Sequence, residues 1–150
     1  MNNPMLTNKP IVNEQYDECL QLMQKEVGDY FVYTPELAQA FRTIGQVYGI
    51  YQEEAFAGFY WIEEREKILY LNGLVLKSAF QGKGIGTQVL IMLADQYASK
   101  ADVIELRVHK SNAKARHLYE KMGYRTVRYL DNLELYVMQR PLAGRVTIGP

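Results

Sequence analysis

The sequence has few of the residues that crosslink small proteins or hold metals. It contains one cysteine, Cys19, and two histidines among 150 residues. A single cysteine excludes an internal disulfide and a cysteine zinc cluster, and the two histidines lack the spacing of a metal pair, so we expect no metal. Cys19 shares an apolar helix face with Leu20 and Met23. It is therefore expected to be a small core residue rather than a reactive thiol.

Long hydrophobic runs are absent as well. The first ten residues contain no apolar segment of signal-peptide length, and no uncharged apolar stretch is long enough to span a bilayer. We therefore expect a cytoplasmic protein without membrane contact. A chain of 150 residues fits a single domain over residues 1–150, with loose tails at 1–9 and 141–150.

Charge of either sign is not in excess, but the two signs are separated along the chain. Residues 1–76 carry five basic and eleven acidic side chains, whereas residues 77–125 carry nine basic and four acidic ones. A net charge of zero argues against a nucleic-acid partner. The separation fits an anionic cofactor on one side and a cationic acceptor on the other, although ordinary solvated faces produce the same counts.

The most informative stretch covers residues 68–98. A nearly continuous apolar run ends at Leu76, and apolar residues at helical spacing follow Thr87, so the pattern predicts a buried strand, a loop and a helix. Glycines at positions 82, 84 and 86 leave the loop backbone free to take positive φ and to approach a ligand closely. Unpaired amides at the start of a helix form a site suited to phosphate.

The spacing of these glycines excludes two common phosphate loops. A Walker loop needs Ser or Thr after the lysine, where this chain has Gly84, and a dinucleotide fingerprint needs a third glycine where it has Thr87. Instead, the loop resembles the acyl-CoA loop of the GNAT N-acetyltransferases, written Gln/Arg-x-x-Gly-x-Gly/Ala. A second GNAT-like motif lies downstream, with Asn112, Ala115, Leu118, Tyr119, Gly123 and Tyr124 at the family's positions.

The resemblance implies an α/β fold with a twisted, mostly antiparallel sheet of six or seven strands, one parallel splayed pair and about four helices. Periodicity and turn residues predict strands at 10–12, 46–52, 55–63, 67–76, 103–108, 124–129 and 133–138, and helices at 14–27, 35–43, 87–98 and 112–122. The 103–108 strand follows a helix, so it is expected to lie parallel to the 67–76 strand.

The resemblance also implies a cofactor, acetyl-CoA, and residues that bind it. These are Leu74, Val75, Leu76, Gln81, Gly82, Lys83, Gly84, Ile85, Gly86, Thr87, Asn112 and Tyr119. Among them, the Leu74 N–H is expected to stabilise the oxyanion and Tyr119 to protonate the CoA thiolate. Asn112 is expected to orient the pantetheine or to cap its helix, and these two roles are not exclusive. Lys83, Lys110, Lys114 and Arg116 are candidates to contact the CoA phosphates.

The acceptor side is less defined by the sequence. Tyr33, Tyr70 and Asn72 are candidate substrate residues, and the aromatic loop around Tyr33 either receives a protonated amine or packs the helices. Some relatives carry a glutamate near position 70 as general base, but no carboxylate lies between Lys67 and Leu76. A water chain held by Tyr70, Asn72 or Glu63 is one replacement, and an amine that arrives neutral is another.

Three functions remain open at this point. The first is an N-acetyltransferase acting on a small-molecule amine or on a peptide or protein amine. The second is a non-catalytic acyl-CoA sensor, and the third is an ATP-binding protein, which leaves the second motif unexplained. GNAT relatives often dimerise through their terminal strands, so the apolar run 133–138 is either a dimer edge or a core strand.

Overall fold

The computed structural model describes residues 5–142 and shows a mixed α/β fold. The strands are β1 (Leu6–Pro10), β2 (Gln46–Gln52), β3 (Ala55–Arg65), β4 (Ile68–Leu76), β5 (Val103–His109), β6 (Arg125–Leu130) and β7 (Leu135–Pro141); the helices are α1 (Asn13–Val27), α2 (Pro35–Thr43), α3 (Ile85–Tyr97) and α4 (Ala113–Lys121). The strands form one seven-stranded sheet in the order β1-β2-β3-β4-β5-β7-β6. The parallel β4–β5 pair and the fold class are as expected from the resemblance.

The two expected tails need correction where the structure describes them. The first strand was expected at residues 10–12, yet it occupies Leu6–Pro10 and pairs antiparallel with β2, so residues 6–9 are not a loose tail. At the other end, Pro141 belongs to β7, and the N–H of the buried Leu142 donates to the carbonyl of Asp102 at 3.0 Å. The rest of both expected tails, 1–4 and 143–150, lies outside the described residues.

The chain divides into two compact units. The first contains the described residues up to Ile62 together with Gly73–Gly86, and the second contains Glu63–Asn72 and the described residues from Thr87 onward. No helix within 5–142 combines the length and apolar character needed to cross a membrane.

The first unit is built around aromatic side chains between α1, α2 and the strands. Thr34 caps α2 by accepting a hydrogen bond from the N–H of Leu37 at 3.0 Å, with proline in the first turn as the sequence predicted. The ring of Phe41 then meets the edges of Phe59 and Trp61 at centroid distances of 5.4 and 5.1 Å. Edge-to-face rings of this kind add to the burial of apolar area, so α2 is held firmly on β3.

The second unit contains the parallel pair and the C-terminal hairpin. Pairing between β4 and β5 is recorded from Ile68 with Val103 to Leu71 with Leu106. On its other side, β5 pairs antiparallel with β7, which in turn pairs with β6. The run 133–138 is therefore not a sheet edge, because β7 has a neighbour on both sides, and the edge strand is the exposed β6.

Candidate functional site

The glycine loop of the first unit leads into α3, which begins at Ile85. Gly82 and Gly84 have φ of +75° and +83°, and a Cβ added to either would meet no atom within 4 Å. Glycine is needed here for backbone conformation rather than for internal space. The loop is thus an open cradle in front of the unpaired amides and positive end of a 13-residue helix, which fits a phosphate group.

Gln81 braces this loop instead of reaching outward. Its side-chain amide donates to the carbonyl of Leu76 and to a carboxylate oxygen of Glu26, each at 2.9 Å. The loop is therefore tied to the end of β4 and to α1. The sequence grouped Gln81 with the cofactor-binding residues, and the geometry indicates that it positions them.

Residues at the end of β4 alternate between partly exposed and buried positions. Val75 is part of the hydrophobic core, whereas Leu74 and Leu76 are half-buried. Val75 and Ile85 are buried, at 5% and 1% exposure, so their side chains do not face a ligand. One lone pair of the Leu76 carbonyl is used by Gln81, and a carbonyl oxygen retains a second.

Tyr119 lies on α4 in the second unit. Its ring packs against that of Tyr124, with centroids 5.7 Å apart. Burial raises the pKa of the Tyr119 phenol to about 12, because the charged phenolate loses its hydration. The hydroxyl is therefore protonated at any physiological pH, which is the state that a proton donor requires.

Asn112 caps the same helix. Its side-chain oxygen accepts from the N–H of Ala115 at 3.3 Å. Of the two roles left open by the sequence, the cap is the one that the structure shows.

The four candidate ligands of the CoA phosphates differ in whether they already interact with other side chains of the protein. Lys110 lies 3.4 Å from the carboxylate of Glu134, which raises the lysine pKa. Arg116 stacks on the ring of Tyr136 at 4.8 Å from its centroid. Lys83 and Lys114 are exposed, and no ion pair involves either of them within the described chain.

The candidate substrate residues fall in different places. Tyr33 is 45% exposed in the loop before α2. Tyr70 carries the guanidinium of Arg65 over its ring at 4.3 Å, and Arg65 also pairs with Glu63 at 2.6 Å. One face of Tyr70 is therefore taken by the protein's own cation, and one carboxylate oxygen of Glu63 is paired with the same arginine.

Tyr70 and Asn72 do share a cavity within the second unit. It measures about 80 Å³ and lies where the recorded pairing of β4 with β5 ends. Its walls are formed by Tyr70, Leu71, Asn72, Glu105, Leu106 and Arg107. A cavity of this size has room for about two water molecules.

Glu105 is a residue that the sequence reasoning missed. It is 6% exposed and is the one charged side chain among the buried residues of 5–142. Its Oε1 accepts from Gln139 Nε2 at 2.8 Å. A signal was present, because Glu105 interrupts the otherwise apolar start of β5, but the search for a carboxylate covered only the strand before the glycine loop.

Comparison with known proteins gives the same picture. The family model described as "Acetyltransferase (GNAT) family" matches residues 12–124. The ribosomal-protein-S18-alanine N-acetyltransferase of Escherichia coli is similar in structure with a TM-score of 0.75 and 18% identity, over 97% of this chain and 100% of that one. A PaiA N-acetyltransferase from Thermoplasma acidophilum in complex with coenzyme A is also similar. It has a TM-score of 0.71 and 15% sequence identity, over 91% of this chain and 99% of that one.

A third similar structure is a GNAT family acetyltransferase from Elizabethkingia anophelis with acetyl-CoA bound. It has a TM-score of 0.74 and 17% identity, over 91% of this chain and 98% of that one. Structural likeness at such low identity establishes the fold, whereas the family model covers both the glycine loop and the segment with Tyr119. The chain therefore belongs to the GNAT acetyltransferase family.

Proposed function

We propose that this protein is an N-acetyltransferase that transfers the acetyl group of acetyl-CoA to a primary amine by direct attack in a ternary complex. The observation that carries the proposal is the family match over residues 12–124, which includes both the phosphate-type loop and Tyr119. Similar structures with coenzyme A or acetyl-CoA bound support acetyl-CoA as the cosubstrate.

The open glycine loop is the element proposed to hold the cofactor. Amides of residues 82–86 donate to the pyrophosphate, since positive φ at Gly82 and Gly84 leaves the loop surface clear of side chains. The exposed Lys83 and Lys114 add positive charge, and Gln81 keeps the loop in position. Backbone groups of Leu74 and Leu76 pair with the extended pantetheine as an added strand would.

Two residues are proposed to act on the reacting atoms. Acetyl-CoA, when bound, supplies an acetyl group activated as a thioester. The acceptor nitrogen bonds to the carbonyl carbon as the carbon–sulfur bond breaks, and the Leu74 N–H donates to the oxygen that becomes negative. The Tyr119 hydroxyl, which is protonated at physiological pH, donates a proton to the departing sulfur.

The acceptor is a primary amine on either a small molecule or a peptide. Tyr33, Tyr70 and Asn72 are the residues proposed to contact it. We place the reaction in the cytoplasm, without nucleic acid or membrane as partner. A homodimer is proposed as well, because GNAT relatives often dimerise.

The test is release of free CoA thiol from acetyl-CoA in the presence of amino acids, polyamines, amino sugars and N-terminal peptides. An alanine-initiated peptide belongs in the panel, because one similar structure is a ribosomal-protein-S18-alanine N-acetyltransferase. A thiol reagent suits the assay, since the protein's own Cys19 is fully buried. Thermal unfolding with CoA and with ATP is measured in parallel.

Turnover with one acceptor class is the expected result, together with a higher melting temperature in CoA than in ATP. Stabilisation by CoA without turnover on any acceptor would favour the sensor function instead. Absence of stabilisation by CoA would contradict cofactor binding itself.

A further inference from the structure

Glu105 places a carboxylate among the buried residues of β5. Burying a carboxylate is costly unless it is paired and hydrogen-bonded. Here the 6% exposed side chain accepts one hydrogen bond, from Gln139, and no ion pair joins it to another residue in 5–142. A neutral side chain would remove the cost of desolvation without loss of the strand.

Glu105 also lines the cavity of about 80 Å³ at the end of the β4–β5 pairing. Register places Tyr70 directly beside Glu105, and the next residue of β4 on the same face is Asn72. A cavity with carboxylate, phenol and amide groups in its walls offers water the two to four polar partners that it needs. These are the features of a short proton path.

We propose that Glu105 is the proton acceptor for the acceptor amine, taking the proton through water in this cavity. The proposal rests on the acetyltransferase function stated above and supplies the base that the strand before the glycine loop lacks. It places the base on β5 instead of β4.

The protons balance as follows. An ammonium acceptor sheds two protons when it becomes an amide. One leaves the nitrogen for solvent as the amide forms, while the thiolate receives a proton from Tyr119, which regains its own from solvent. The other passes from nitrogen to a cavity water while that water gives a proton to Glu105, and Glu105 returns it to solvent before the next turnover.

The charged groups around Glu105 are mostly positive. In the second unit, Arg107 follows on the same face of β5, Arg65 covers the ring of Tyr70, and Arg125 of β6 lies beyond Gln139 in register. The acid Glu63 at the end of β3 is paired with Arg65. The charged side chains that neighbour Glu105 in the sheet are therefore mainly cationic.

The variant Glu105→Gln tests the proposal. Glutamine keeps the shape and still offers an oxygen to Gln139, but it does not accept a proton. We expect kcat/KM to fall about 100-fold near pH 7 and to recover as the pH rises toward the pKa of the acceptor amine, with KM for acetyl-CoA unchanged. Glu64→Gln is the matched control, because it removes the same charge from an exposed position of β3 and is expected to act like wild type.

A second variant, Glu105→Asp, guards against a glutamine variant that fails to fold. It keeps a carboxylate with shorter reach, so we expect a several-fold lower rate with the pH profile of the wild type. A Glu105→Gln enzyme within twofold of wild type, or slowed equally at every pH, would contradict the proposal. So would an aspartate variant that loses the wild-type profile. If the wild-type protein itself transfers acetyl to no amine, the proposed function fails together with this inference. If the wild type is active and the Glu105 variants are equally active, only the inference is overturned.

Discussion

At the scale of single residues, the hydroxyl of Tyr119 carries the proposed chemistry while its ring carries structure. The ring packs on Tyr124, and the hydroxyl is buried deeply enough to hold its pKa at about 12. These two contributions are separable, because phenylalanine keeps the ring and loses only the hydroxyl. A substitution at this position therefore reports on proton donation with little effect on the fold.

We expect Tyr119→Phe to lower kcat about 100-fold, since a positioned proton donor typically contributes 100-fold or more. KM for acetyl-CoA should change little, because the ring that fills the space is retained. Steady-state kinetics with the acceptor found in the thiol-release panel measure both. A variant with the wild-type kcat would show that another group protonates the thiolate.

Tyr124→Phe is the control for that experiment. The Tyr124 hydroxyl is buried and has no hydrogen-bond partner within the described residues, so removing it relieves a cost of about 1–3 kcal/mol rather than breaking a bond. We expect this variant to match the activity of the wild type and to be at least as stable. Loss of activity here would mean that the Tyr119→Phe result reflects packing of the ring pair.

The sequence singled out candidate residues that lie in motifs and missed one that is defined by its burial. Tyr119 and the glycines are recognisable because their spacing along the chain is itself the signal. Glu105 is different, because its burial depends on strands β4 and β7 on either side of it. Spacing along one strand does not reveal which of its polar residues will face a cavity.

At the scale of elements, β3 approaches the end of β4 closely at Gly58 in the first unit. A Cβ at this position would lie 2.1 Å from the carbonyl oxygen of Val75 and 2.8 Å from the Cα of Leu76. Both are backbone atoms, so no side-chain rotation relieves the overlap. The N–H of Lys77 also donates to the carbonyl of Ala57 at 2.8 Å, which keeps the two segments close.

We therefore expect Gly58→Ala to destabilise the protein by about 3 kcal/mol, at the upper end of the cost of overpacking a core. For a chain of this size that lowers the melting temperature by roughly 10 °C. Calorimetry or thermal circular dichroism measures the shift.

Gly28→Ala is the matched control. Gly28 has helical φ and ψ of −62° and −18°, and an added Cβ meets nothing within 4 Å. This change is expected to be neutral or to stabilise by up to about 1 kcal/mol. Equal melting temperatures for the two alanine variants would contradict the packing argument at Gly58.

A helix whose start is marked by its own sequence was predicted closely, whereas a strand whose position depends on pairing with its neighbour was not. Helix α2 was bounded correctly because Thr34 and Pro35 mark its start. Strand β1 was misplaced, since its sequence LTNKP is polar and mostly exposed and its pairing with β2 is a backbone interaction. The pattern of polar and apolar side chains does not reveal which hydrogen bonds the main chain makes.

At the scale of the whole molecule, only part of the strand order followed from connectivity. A helix between β4 and β5 predicts a parallel pair, and the turns between β2, β3 and β4 predict antiparallel neighbours. What connectivity did not give is the place of β7. The strand inserts between β5 and β6, so the last strand within residues 5–142 is interior and the exposed β6 forms the edge on that side of the sheet.

The buried titratable groups of the molecule predict sensitivity to alkali. Burial raises the pKa of Cys19 from 9.0 to about 12, and those of Tyr119 and Tyr124 are also raised by burial. In each case the folded state binds the proton more tightly than the unfolded state. The stability that these groups contribute is therefore complete below their ordinary pKa values and is lost as the pH rises toward the folded-state values.

Between pH 9 and 10 the thiol of Cys19 leads this loss, because tyrosines ionise later in the unfolded chain. We expect the free energy of unfolding to fall by about 1.4 kcal/mol per pH unit as the unfolded thiol becomes fully ionised. Urea denaturation from pH 7 to 10.5 measures the slope, with return to pH 7 as the check for reversibility. Cys19→Ala should be less stable at pH 7, since it leaves a small cavity, yet its stability should fall less steeply above pH 9. Parallel slopes for the two proteins would show that the buried thiol is not the group that makes the fold sensitive to alkali.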